Sequence, residues 1–153
     1  MKRLFIIILA LMLSFTASAQ WTTRFHKADE LKGEDSYWSN LYVSPSGYSM
    51  FVCWTNDTEV KIITREGIFD YSDDYVRVLV GFYKGESLVE KEEAYFFVPQ
   101  GDRDSAYSSS YRNPGLGPKI KEWIKNSGNV RFVAPKFSGA DFDMTVKQYK
   151  DLK

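Results

Sequence analysis

Tyr48 to Thr64, YSMFVCWTNDTEVKIIT, is the stretch whose reading decides the fold. Two runs rich in β-branched and aromatic residues flank Asn56-Asp57, and both turn residues tolerate the positive φ that a two-residue type I′ loop demands. The stretch therefore reads as a β-hairpin with Thr55 facing Thr58, Cys53 facing Val60 and Phe51 facing Ile62. Side chains alternate between faces, so Phe51, Cys53, Val60 and Ile62 form one apolar patch. Met50, Val52, Trp54 and Ile63 lie on the other face beside Glu59 and Lys61. A one-residue slip would mix these sets, so the pattern itself specifies the register. The first strand is apolar on both faces, as for an interior strand buried on both sides. The second is apolar on one face, as for a partly exposed strand.

Working outward, the chain reads as further short strands. Trp21 to Lys27 alternates Trp21, Thr23 and Phe25 against Thr22, Arg24 and His26. Tyr37 to Val43 is extended, and Ser44-Pro45-Ser46-Gly47 turns it into the hairpin, giving a meander over 37–43, 48–55 and 58–64. Ile68 to Asp74 reads as a connecting loop. Val76 to Tyr83 carries Val76, Val78, Val80 and Phe82 on one face, and a turn at Lys84–Ser87 leads to a strand over 88–98 that Pro99 stops. Residues 100–118 lack periodicity and read as a long loop. Pro118 then opens a short helix to about 126, with Ile120, Trp123 and Ile124 on its apolar face. Strands at 130–134 and 140–146 follow, then a polar tail over 147–153. About eight short strands and one helix predict a mostly-β, single-domain antiparallel sandwich or open barrel.

The ends and the charge bound the function classes. Lys2 and Arg3 precede an apolar run, Leu4 to Leu13, and Ala17-Ser18-Ala19 supplies a small-x-small cleavage site, so residues 1–19 are expected to be a cleaved signal peptide. The run is too short to anchor the chain in a bilayer. Domain 20–153 is thus expected to be exported, periplasmic or extracellular, and soluble, with no membrane span. Without Lys2 and Arg3, 18 basic residues stand against 20 acidic ones, a net charge of −2. No basic cluster suggests nucleic acid. Cys53 is the single cysteine, so no intramolecular disulfide forms, and its place beside Phe51 makes it a core thiol rather than a nucleophile.

Few residues point to chemistry. His26, the one histidine, has no second histidine or cysteine with which to hold a transition metal. No Gly-x-Ser-x-Gly elbow, phosphate-binding glycine loop or Ser-x-x-Lys pair occurs. Asp70, Asp73 and Asp74 supply oxygen ligands, but not at EF-hand spacing. Asp102 and Asp104 flank Arg103 as in a loop salt bridge. No cofactor or metal is expected. The 100–118 loop is more informative: Tyr107-Ser108-Ser109-Ser110-Tyr111 has the composition of adaptable binding loops. Tyr107, Tyr111 and Arg112 are the candidate contacts to an envelope protein or glycan. Asp104-Ser105-Ala106 looks like the Asp-Ser/Thr-aliphatic acceptor of Bacteroidota O-glycosylation, with Ser105 as the modified residue. Asn56-Asp57-Thr58 matches the Asn-linked sequon, but its place in the turn explains it.

The order of segments also carries a resemblance. An early Trp is followed by Val52-Cys53, Asn56-Asp57-Thr58-Glu59-Val60 and Val76-Arg77-Val78. After the helix come Val130-Arg131-Phe132-Val133-Ala134-Pro135 and Asp141-Phe142-Asp143-Met144. This resembles small periplasmic β-sandwich proteins associated with type VI secretion and the invasion-associated locus B proteins. Those proteins usually carry paired cysteines, where this chain has Cys53 alone. The resemblance implies an accessory role in the cell envelope. The leading expectation is accordingly a secreted or periplasmic, non-catalytic binding or accessory domain. One alternative is an envelope glycan hydrolase drawing a carboxylate pair from Glu59, Asp141 or Asp143. Another is a structural envelope component that self-associates.

Overall fold

The computed structural model describes residues 20–153, and the expected signal peptide at 1–19 lies outside them. Nine strands form: β1 (Gln20–His26), β2 (Tyr37–Val43), β3 (Ser49–Trp54), β4 (Val60–Thr64), β5 (Tyr75–Lys84), β6 (Ser87–Phe97), β7 (Ser105–Ser108), β8 (Asn129–Ala134) and β9 (Phe142–Val146). One helix, α1 (Leu116–Asn126), follows β7. The strands make a single antiparallel sheet in the order β1-β2-β3-β4-β7-β6-β5-β8-β9.

Alternation puts one face of every strand inward. Phe51 and Cys53, Val60 and Ile62, and the even-numbered positions of Val76 to Phe82, Val130 to Ala134 and Phe142 to Val146 are all buried. The sheet curls so that this face closes on itself. Phe51 on β3 stacks on Phe132 of β8 at 5.6 Å, although four strands separate them in the sheet. The two sheet edges meet without a ladder. Trp21 on β1 stacks on Tyr149 at 5.0 Å and donates its Nε1–H to the Lys147 carbonyl at 3.1 Å. The expected polar tail is therefore a strap: Leu152 is buried, and Asn40 pairs with the Lys153 backbone through both its amide oxygen and nitrogen.

Helix α1 closes one end with Leu116, Ile120 and Ile124 buried beneath it. Two glycines let it sit that close. A β-carbon on Gly117 would overlap the Thr58 carbonyl, and one on Gly128 would overlap the Tyr83 carbonyl. Pro118 occupies the first turn, where no intrahelical donor is lost.

The hairpin at 48–64 has the expected register, with Cys53 opposite Val60 and Phe51 opposite Ile62. Its tip differs. The ladder ends at Cys53–Val60, and Asn56 and Asp57 do not adopt positive φ. Gly117 packs on the Thr58 carbonyl, and the Lys121 ammonium donates to the carbonyls of Trp54 (2.6 Å) and Asp57, so the helix occupies the place of the last rungs. Asp57 Oδ1 instead accepts the Glu59 N–H in an Asx turn. The positive-φ pair occurs at Asp73 (52°) and Asp74 (63°), within the expected 68–74 loop. Ser72 and Tyr75 exchange both backbone hydrogen bonds at 2.9 Å around it, as a two-residue primed turn requires. The outer face of β3 is half-buried rather than buried, and β4 is an interior strand because β7 covers its far edge.

Candidate functional site

The segment expected to be a structureless loop at 100–118 contains β7. This strand is only four residues long, and it completes the sheet between β4 and β6. Its inward residues are Ala106 and Ser108, and the Ser108 hydroxyl accepts the Val60 N–H at 2.8 Å in place of a ladder carbonyl. Small and hydroxylated residues leave no apolar period to read, which explains why the strand is invisible in the sequence.

The outer face around β7 carries the most distinctive cluster of the described residues. Pairing sets Val52, Lys61, Tyr107, Phe97 and Tyr75 side by side across β3, β4, β7, β6 and β5. Four inter-strand spacings make this row about 19 Å long. Trp54 stacks on Tyr107 with centroids at 6.3 Å and planes within 16°. Phe97 meets Tyr75 edge-on at 5.8 Å. Phe97 and the neighbouring Tyr95 keep 39% and 41% of their surface in solvent, large values for aromatic side chains on a sheet. The row is thus an exposed aromatic platform on a rigid scaffold.

Three cations border the platform. Lys61 Nζ lies 5.0 Å from the Tyr107 ring centre and donates to Asp102 at 2.8 Å. Burial alone would push this ammonium down, but its bonds to Asp102 and Tyr107 outweigh that and raise it. Arg77 pairs with Glu93 at 3.5 Å. The Arg112 guanidinium stands over Tyr75 at 4.6 Å. Asn113 fixes the base of this arm, because its amide accepts the Tyr95 N–H at 3.2 Å and donates to the Tyr95 carbonyl at 2.8 Å. Arg112 therefore reaches across β6 to a ring on β5.

Of the residues singled out in the sequence, Tyr107 is central to this platform and Arg112 borders it. Tyr111 is 89% exposed beside Arg112 and has no ring partner among the described residues. Ser105 lies two residues before Tyr107 on the same face of β7. It is fully buried, and its hydroxyl donates to Asp102 Oδ2 at 2.6 Å, so the folded chain presents no oxygen there for a glycosyltransferase. Trp54, Phe97 and Tyr75 are the contacts that sequence reasoning did not assemble. The β5–β6 pairing sets Tyr75 beside Phe97, but only the position of β7 between β4 and β6 brings them next to Tyr107 and Trp54.

The carboxylates have other roles. Asp102 pairs with Lys61 rather than with Arg103, which lies over Tyr71 at 5.6 Å. Its interactions with Asp104, Lys61 and Ser105 hold the Asp102 carboxyl well below its ordinary value, whereas the neighbouring Asp102 and burial raise that of Asp104. Glu59 Oε1 accepts both the N–H and the hydroxyl of Ser110 at 3.3 and 3.4 Å. Asp143 forms a two-pronged pair with Arg131, at 2.8 and 2.6 Å, which lowers its carboxyl. Glu59, just before β4, and Asp143, on β9, are thus each bound to another partner and not to one another. Among the described residues, no group of three or more His, Cys, Asp or Glu side chains is placed to hold a metal ion, and no helix is long and apolar enough to cross a membrane. Shallow clefts of about 370 to 380 Å³ lie beside Arg131 and Asp143, between Trp54, α1 and the strap, and between the Ser44–Ser49 turn and β9. None of these is lined by Tyr107, Phe97 or Tyr75. No family model, curated protein or solved structure matches this chain.

Proposed function

We propose that this chain is an exported, non-catalytic binding module of the cell envelope whose outer aromatic platform holds a glycan chain. The observation that carries the reading is the cross-strand row Lys61–Tyr107–Phe97–Tyr75, with Trp54 stacked on one end and Arg112 on the other. Pyranose rings offer apolar C–H faces to aromatic rings while their hydroxyls stay available for hydrogen bonds to bordering polar groups. A convex platform suits a polymer that lies across it, whereas a small ligand needs a cavity that buries most of its surface. Sheet-borne side chains are also held in place before binding, which limits the ordering cost. An accessory envelope role is what the resemblance to small periplasmic β-sandwich proteins implies as well.

The test is co-sedimentation of residues 20–153 with insoluble envelope polysaccharide, alongside titration of the Trp fluorescence that Trp54 contributes to. Retention of the wild type, and at least tenfold weaker retention of Tyr107→Ala with Phe97→Ala at unchanged thermal midpoint, is the expected result. Equal retention of wild type and double variant would remove the platform from the binding site.

A further inference from the structure

We infer that the glycan taken by this face is anionic, and that Arg112 recognises its carboxylate groups; this rests on the reading of the platform as a glycan site. Lys61 is paired with Asp102 at 2.8 Å and its side chain is only 16% exposed. Arg77 is paired with Glu93. Arg112 borders the same platform and is exposed, yet among the described residues it makes no ion pair. Asp74, the acid adjacent to Tyr75 in the chain, is not within ion-pair distance of it.

Arg112 is nonetheless held in place. Its guanidinium rests on Tyr75, its backbone N–H donates to the Ser109 hydroxyl at 3.3 Å, and Asn113 is clamped to Tyr95. Stacking on an aromatic face uses the guanidinium plane and leaves the N–H donors at its rim free. Five donors in a fixed fork match a carboxylate in a two-pronged bond, which a neutral hydroxyl cannot reproduce. An oriented, unpaired fork at the end of an aromatic row thus has the geometry for a uronic-acid residue whose neighbours stack on Phe97 and Tyr107. Non-specific attraction does not account for such binding, because residues 20–153 carry a net charge of −2 and repel a polyanion as a whole.

The experiment uses uronate polymers, polygalacturonate and alginate, each against its methyl ester, which keeps the backbone and removes the charge. Wild-type protein is expected to bind at least one free acid about tenfold or more tightly than its ester, a preference that shrinks as salt rises. Arg112→Gln should bind acid and ester alike, while Arg112→Lys keeps part of the preference. Tyr107→Ala should weaken binding to both forms. Equal wild-type affinity for acid and ester overturns the charge inference and leaves the platform standing. Binding to none of the polymers overturns the inference and counts against the glycan reading itself.

Discussion

Cys53 and Asn40 show how individual side chains are set by the curl of the sheet. The thiol is almost fully buried beside Phe51, and burial pushes it up to about 12 despite the Lys121 ammonium and a hydrogen bond from Asn40. An unfolded chain ionises this group near the ordinary value of about 8.5. Below that pH both states keep the proton, and the stabilising contribution is complete. Between there and about pH 12 only the unfolded state loses it, so stability falls with rising pH by about 1.4 kcal/mol per pH unit. Urea melts of wild type and Cys53→Ala from pH 8 to 11 isolate this component, because Tyr42 and the lysines titrate in both proteins. Parallel pH dependences would show that the thiol is not desolvated. Arg131–Asp143 is the contrasting case. Both side chains are nearly half exposed, so despite good geometry Asp143→Ala should cost less than about 1 kcal/mol in the same assay.

At the scale of elements, α1 determines where the hairpin ends. Gly117 against Thr58 and Gly128 against Tyr83 are the two points of closest approach, and neither glycine needs its freedom at positive φ. Gly117→Ala and Gly128→Ala must therefore lift the helix, with its Ile120 and Ile124, out of the core or displace a strand. Each should cost about 3 kcal/mol, measured by urea denaturation. A cost below about 0.5 kcal/mol would mean that the helix is not seated as described. The turn chemistry makes a related point. Asn56-Asp57 and Asp73-Asp74 are both acceptable residues for a primed turn, and local propensity slightly favours the first. The primed turn forms at the second, because Ser72–Tyr75 is free to pair while Lys121 has taken the carbonyls of Trp54 and Asp57.

For the whole molecule, the strap over residues 147–153 substitutes for a β1–β9 ladder. Trp21, Asn40 and Tyr42 all contact it from β1 and β2. Deleting residues 148–153 should leave β3 to β8 folded and speed amide exchange in β1 at least tenfold relative to β5. Uniform exchange across both strands would show that the edges are held by something other than the strap. The Tyr107–Phe97–Tyr75 part of the platform, on β7, β6 and β5, should tolerate this deletion, whereas Trp54 shares a cleft with Leu152 and Lys153 and should feel it.

The sequence by itself determined the strand class, the alternation and the register of the central hairpin. These follow from side chains that point to opposite faces every second residue, a local geometric rule. It also placed Cys53 in the core and Trp54 on the other face. Only the tertiary structure decided that β7 enters between β4 and β6, that the polar tail becomes a strap and that Ser105 is buried. Each of these depends on contacts between segments distant in sequence, made by short or polar stretches whose own apolar content is too small to signal them. The platform belongs to the same class. Tyr107 and Arg112 are conspicuous in the sequence, but Phe97, Tyr75 and Trp54 become their neighbours only because a four-residue strand completes the sheet.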